Sequence, residues 1–190
     1  MSNRLLVIDT ETGGIDPLKW SILSIGAVAW ENGEILGETE ILVAEQPIQA
    51  EPGAMKVNRI NLKEHAAIGL APKRAVANLE NFFLQYFPQG KVPLAGHNIG
   101  FDIGFLQRLY RLAALDFEER FSHRSIDTSS IMNFLKLAGK LPIPSSSLES
   151  GLKYFQIEVK DSDRHTALAD ARATAKLLTA LIELVRGPST

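Results

Sequence analysis

The chain is predicted to be an α/β protein: a mixed sheet, made of an antiparallel meander of three strands plus parallel strands, flanked by helices. Three observations predict it. Three runs of strand character separated by turn residues fill the first 44 positions, a further apolar run stands alone at 92–97, and the segments after it repeat their apolar residues at helical spacing. Residues 4–10 form the first strand, because Leu5-Leu6-Val7-Ile8 is a short apolar run of the kind buried at the centre of a sheet. Strands over 22–30 and 34–44 follow, joined by Asn32-Gly33, a strong two-residue hairpin signal. Short helices occupy 54–68, and a helix over 73–87 carries the stripe Val76, Leu79, Phe83 and Phe87. After the strand at 92–97 come helices over 101–115, 128–138, 147–155 and 166–185. Ser147 caps the third of these after a Pro- and Ser-rich loop, and Gly187-Pro188 stops the last. With no internal repeat or second composition regime, residues 1–190 are expected to be a single domain.

The first strand ends in Asp9-Thr10-Glu11. Side chains two apart on a strand share a face, so both carboxylates point the same way from the edge of a core. Two anions held there repel each other and lose hydration, which calls for a cation between them, a divalent metal first of all. The spacing alone says little, since 8 Asp and 14 Glu give about 0.6 chance matches to Asp-x-Glu. The second copy, Asp116-Phe117-Glu118, has no apolar strand before it and reads as solvated surface.

Two later acids strengthen the case. Asp102 falls on the inward stripe of its helix with Phe105, Leu106, Leu109 and Ala113, and Asp170 lines up with Thr174, Leu177, Leu181 and Leu184. A single inward Asp is often a capping or core residue. Three separate elements aiming acid inward are harder to explain that way. His165 sits five residues before Asp170, after the polar run 160–164, and suits a general base because its pKa lies near neutrality. His97 has the same spacing to Asp102 but ends an apolar strand, so a structural hydrogen bond is the expectation there.

In order, Asp9-Thr10-Glu11-Thr12-Gly13-Gly14, Gly96-His97-Asn98-Ile99-Gly100-Phe101-Asp102 and His165-Thr166-Ala167-Leu168-Ala169-Asp170-Ala171 resemble the three motifs of the DEDDh 3′-to-5′ exonucleases. The resemblance spans about residues 4–185 and implies a ribonuclease H-like fold. It implies that Asp9, Glu11, Asp102 and Asp170 hold two Mg²⁺ or Mn²⁺ ions and that His165 is the general base. Ser125-Ile126-Asp127-Thr128 is similar to the family's Asp-Thr segment, where the acid has a supporting role, and Ser24 stands where many relatives carry Glu.

The chemistry agrees with those residue types. Two ions about 3.5–4 Å apart can activate a water and stabilise the leaving 3′ oxygen of an in-line displacement. Mg²⁺ takes oxygen ligands, so carboxylates and a substrate phosphate suffice. The product implied is a nucleoside 5′-monophosphate. Thr12, Gly13, Gly14, Ile15 and Asn98 are the expected substrate contacts: glycine lets a ligand approach the backbone, and Ile15 can wedge against a terminal base.

The remaining features bound the reading. The chain has no cysteine, hence no disulfide or cysteinyl zinc site, and no apolar run of the roughly 18 residues a membrane span needs. A cytoplasmic enzyme is expected. A formal charge of -2 argues against gripping long duplexes and favours binding nucleic-acid 3′ ends, with Lys56, Arg59, Lys63, Arg164 and Arg172 as candidate groove cations. Weak, distributive binding follows unless a polymerase or other protein tethers the chain. DNA with single-stranded or mismatched 3′ ends is the first substrate reading. The alternatives are an exoribonuclease on short or structured RNA ends and a non-catalytic module docking on a polymerase. Burying four acids argues against the last.

Overall fold

The computed structural model describes residues 3–159 and 166–187. Five strands form one sheet in the order β3-β2-β1-β4-β5. β1 (Leu5–Thr12), β2 (Ile22–Glu31) and β3 (Glu34–Leu42) make the expected antiparallel meander. The turn between the last two has φ of 53° at Asn32 and 98° at Gly33, the paired positive values of a tight hairpin. β4 (Val92–Gly96) pairs parallel to β1, and β5 (Phe121–Asp127) parallel to β4. The helices are α1 (Pro52–Asn58), α2 (Leu62–Ile68), α3 (Pro72–Tyr86), α4 (Gly100–Leu112), α5 (Phe117–Arg120), α6 (Thr128–Leu137), α7 (Leu148–Tyr154) and α8 (Ala167–Arg186).

β5 and α5 are additions to the elements the apolar pattern predicts. Of the β5 residues only Phe121 is fully buried, because β5 is an edge strand whose middle faces solvent, and no alternation marks it. The second Asp-x-Glu lies beside it: Asp116 caps α5 by accepting the Glu118 N–H at 2.8 Å, and Phe117 stacks on Phe121 at 4.5 Å between ring centres.

The sheet separates two apolar layers. Leu6 and Ile8 of β1 pack with Val76, Leu79 and Phe83 of α3 and with Phe105, Leu106 and Leu109 of α4. Val7 faces the other way, with Val28, Ala95 and the α8 residues Ala171, Ala175 and Leu178. Strand alternation then sends Asp9 and Glu11 to the α8 side, where Val7 points. A third cluster seats α6 against α8 through Met132, Leu135, Leu177 and Leu181. The chain leaves β1 toward β2 on one side, whereas β4 leads through α4 to β5 on the other, so the order reverses between β1 and β4. In open α/β sheets the crevice beyond the strand ends at such a reversal is the usual ligand site. Among the described residues no helix is long and apolar enough to cross a membrane.

Candidate active site

Asp9 and Glu11 from the end of β1 and Asp170 from the first turn of α8 each present an oxygen within 4.8 Å of the others. α8 starts there because the Thr166 hydroxyl caps it, accepting the Ala169 N–H at 3.3 Å. Its approach depends on Gly26. On β2, Gly26 lies directly opposite Asp9, and a methyl group there would land on the Ala167 carbonyl and the Leu168 amide. Directly opposed residues of an antiparallel pair project to one face, so the missing side chain of Gly26 is the space that brings α8 down beside Asp9. Its only trace in the sequence is a glycine inside the apolar run Ile22 to Val28, a mark of close backbone approach.

Asp102 reaches the same edge from the first turn of α4, at 3% exposure, where it accepts the Thr10 hydroxyl at 2.8 Å. Thr10 lies between Asp9 and Glu11 and turns to the opposite face, so β1 addresses both helices at once. The electrostatics show how closely the acids are held. Burial, reinforced by the charges of Asp102, Asp170 and Glu11, pushes the Asp9 carboxyl well above the usual range. Burial and then Asp170 and Asp102 raise Glu11 to about 8. Burial also raises Asp102 to about 7, against the opposing bonds from Thr10 and the backbone.

The raised pKa of Glu11 therefore costs the fold on the order of 3 kcal/mol at neutral pH. Burial of Leu6, Val7 and Ile8 contributes about 1.5–3 kcal/mol each, so the strand holds its acids in place. What remains is an all-oxygen, electron-rich donor set that suits hard divalent ions such as Mg²⁺ or Mn²⁺. A pH dependence follows. Acids whose folded pKa is raised stabilise the fold below their unfolded pKa and lose that contribution as pH rises through the folded value. In EDTA, the melting temperature should therefore decline between about pH 5 and about pH 8.5, and millimolar Mn²⁺ should flatten the decline. A flat profile in EDTA would show that neither burial nor mutual repulsion raises these acids.

The surrounding loops are braced. Asn98, at φ 62°, donates its backbone N–H to Asp127 Oδ1 at 2.8 Å, tying the β4 end to the β5 end. Asp127 also caps α6 and so has the supporting place that the resemblance implies. His97 Nδ1 lies 3.0 Å from the Thr128 hydroxyl, which donates to the Gly96 carbonyl, and burial lowers the His97 pKa. That is the structural hydrogen bond expected of it. Thr12 and Gly13 are buried: the Thr12 hydroxyl donates to the Gly14 carbonyl at 2.7 Å, and the Gly13 carbonyl accepts the Glu51 N–H at 2.7 Å. Gly14 makes room for the Trp20 ring, whereas Ile15 stands 79% exposed beyond them.

Sequence reasoning did not single out Glu45 and Arg108. Glu45 accepts from the Ser21 hydroxyl, the Ile22 N–H and the Nε and Nη2 of Arg108. Lys56, Arg59 and Lys63 are exposed, and Arg172 pairs with Glu38 on β3. His165 and Arg164 lie outside the described residues.

A family model described as an exonuclease matches residues 6–178. An oligoribonuclease of Shewanella sp. strain W3-18-1 is 28% identical over 144 residues, 70% of this chain and 76% of that protein. One from Dichelobacter nodosus strain VCS1703A is 32% identical over 140 residues, covering 68% and 73%. The fold aligns with a zinc-bound E. coli exonuclease I complex with single-stranded DNA at a TM-score of 0.79 and 22% identity, over 93% of this chain and 40% of that one. A product-bound exonuclease I gives a TM-score of 0.76 at 20% identity, over 98% and 44%. The chain thus spans less than half the length of these solved enzymes.

Proposed function

This chain belongs to the exonuclease family, and from that premise we propose that it removes nucleotides from the 3′ end of a nucleic-acid strand, releasing nucleoside 5′-monophosphates. The observation that carries this is the convergence of Asp9, Glu11 and Asp170 oxygens beside the buried Asp102, from three separate parts of the chain. Asp9, Glu11, Asp102 and Asp170 would hold two Mg²⁺ or Mn²⁺ ions. When bound, the ions lower the pKa of water and neutralise charge on the phosphoryl and leaving oxygens. His165 accepts the water's proton, and it must be neutral to do so. Of the expected substrate contacts, Ile15 offers an exposed apolar face to a terminal base, Asn98 stands just past the end of β4, and Thr12, Gly13 and Gly14 brace the Ile15 loop from within.

Single-stranded or mismatched DNA 3′ ends are the first substrate. A chain of net charge -2 has little to hold a long duplex, and the exonuclease I neighbour is a complex with single-stranded DNA. Short RNA is the second reading, favoured by the oligoribonuclease relatives. A tethering protein and a cytoplasmic setting complete the proposal. The test compares labelled single-stranded DNA, duplex DNA with a mismatched 3′ end, and short RNA, each with Mg²⁺ or Mn²⁺. A 3′-phosphorylated strand should resist while a blocked 5′ end makes no difference; cutting of circles would overturn the exonuclease assignment.

The role of His165 has its own measurement. His165→Ala should lower single-turnover rates by about 10²- to 10⁴-fold, the range for a positioned general base, while Mn²⁺ still raises the melting temperature as in the wild type. Equal loss of Mn²⁺ stabilisation in His165→Ala and Asp170→Asn would make His165 a ligand instead.

A further inference from the structure

The segment that leaves β1 after Thr12 folds into a closed loop on its own hydrogen bonds. The Gly13 N–H reaches the Ser21 carbonyl at 2.7 Å, the Trp20 N–H reaches the Asp16 carbonyl at 2.9 Å, and the Leu18 N–H reaches Asp16 Oδ1 at 2.9 Å. Trp20 packs inward over Gly14, and Pro17 lies against Gly104 of α4. Two large apolar side chains remain on the outside, Ile15 and Leu18, the latter 73% exposed. Three positions apart, they are the exposed apolar side chains of the segment that follows Asp9 and Glu11 in the chain, and they make up its apolar ledge.

Arg108 joins this loop to α4. It stands six positions after Asp102 on the same helix. Its Nε and Nη2 donate to the two oxygens of Glu45 at 3.0 and 2.7 Å, and its Nη1 reaches the carbonyls of Pro17 at 3.1 Å and Leu18 at 3.4 Å. Glu45 in turn accepts from Ser21 and Ile22, where the loop rejoins β2. The planar guanidinium thus grips the carboxylate with one edge and the loop with the other, a two-sided fit that a lysine ammonium does not reproduce.

We propose that Arg108 is a positioning residue for the exonuclease reaction: it fixes the Ile15–Leu18 ledge relative to α4, and so sets where the terminal base rests while the scissile phosphate meets the carboxylates. This inference rests on the function proposed above and deepens it. The substrate feature concerned is the base of the 3′-terminal nucleotide. Its apolar face rests on the ledge, and Arg108 acts on it only through the loop.

A base-dependent kinetic cycle tests the proposal. Arg108→Lys and Arg108→Met are assayed on one oligonucleotide with either a normal or an abasic 3′-terminal residue, alone and combined with Ile15→Ala plus Leu18→Ala. The expected result is a loss of kcat/KM of about 10- to 100-fold on the normal end, the scale for a small misplacement of bound substrate, and of less than about twofold on the abasic end. In the ledge-deleted background the Arg108 substitutions should add little, because both changes remove the same contact. Equal losses on normal and abasic ends, or fully additive losses, would show that Arg108 merely supports the fold and overturn the proposal. If Arg108→Met fails to fold, Arg108→Lys, which keeps the charge beside Glu45, still gives the comparison. A wild-type protein inactive on every 3′ end would instead refute the exonuclease reading itself.

Discussion

Asp9→Asn is expected to abolish nearly all turnover while making the metal-free protein more stable. Asp9 is the acid on which the other charges converge: beside the larger effect of desolvation, Asp102, Asp170 and Glu11 all act on its half-buried carboxyl. Replacing the carboxylate by an amide of the same shape removes one of the repelling charges, so the melting temperature in EDTA should rise relative to the wild type, most of all at about pH 8.5, where the wild-type acids are ionised. The same change takes an anionic oxygen from the cation site. Loss of several kcal/mol of charge stabilisation corresponds to a rate lower by about 10³-fold or more. Differential scanning fluorimetry in EDTA and in Mn²⁺, beside single-turnover kinetics, checks both halves. A variant that is less stable in EDTA and no less active would mean that Asp9 is an ordinary structural acid.

Gly26→Ala should be nearly as damaging, although it alters no charge and touches no substrate. Gly26 has no positive φ that would demand glycine, so the effect is one of space: the added methyl collides with the backbone of Ala167 and Leu168. Backbone cannot swing aside as a flexible side chain can. The start of α8 must therefore move away from β2 and carry Asp170 with it. Overpacking of this kind costs about 1–3 kcal/mol of stability. A displacement near 1 Å at the acid should lower kcat/KM by about 10²-fold and weaken Mn²⁺ stabilisation. Full activity in Gly26→Ala would show that α8 is not seated through this contact.

These two residues mark what the sequence discloses and what it hides. Asp9, Glu11, Asp102 and Asp170 are legible because each obeys a local period, two on the strand or 3.6 on a helix, and the period itself says which way the side chain points. Their convergence near one point is a property of strand order, which no local pattern carries. Gly26 is legible only as an interruption, since its significance lies in a helix more than 140 residues further on. Glu45 and Arg108 are 63 positions apart, and an arginine beside the stripe of an amphipathic helix reads as an ordinary solvated charge. β5 escaped for another reason. An edge strand with His123 and Arg124 exposed in its middle lacks the alternation that a half-buried strand displays.

The acids reach the site from opposite ends of the chain: Asp9 and Glu11 from the first strand, Asp170 from the last helix. During synthesis, chain growth at about 5–20 residues per second separates the first pair from the last acid by roughly 10 to 30 seconds. In that interval the emerging segment carries Asp9, Glu11 and then Asp102, but not Asp170. With Asp170 on α8, the cluster of carboxylates closes only when α8 docks against the sheet, so the fold itself sets the moment at which the cluster forms.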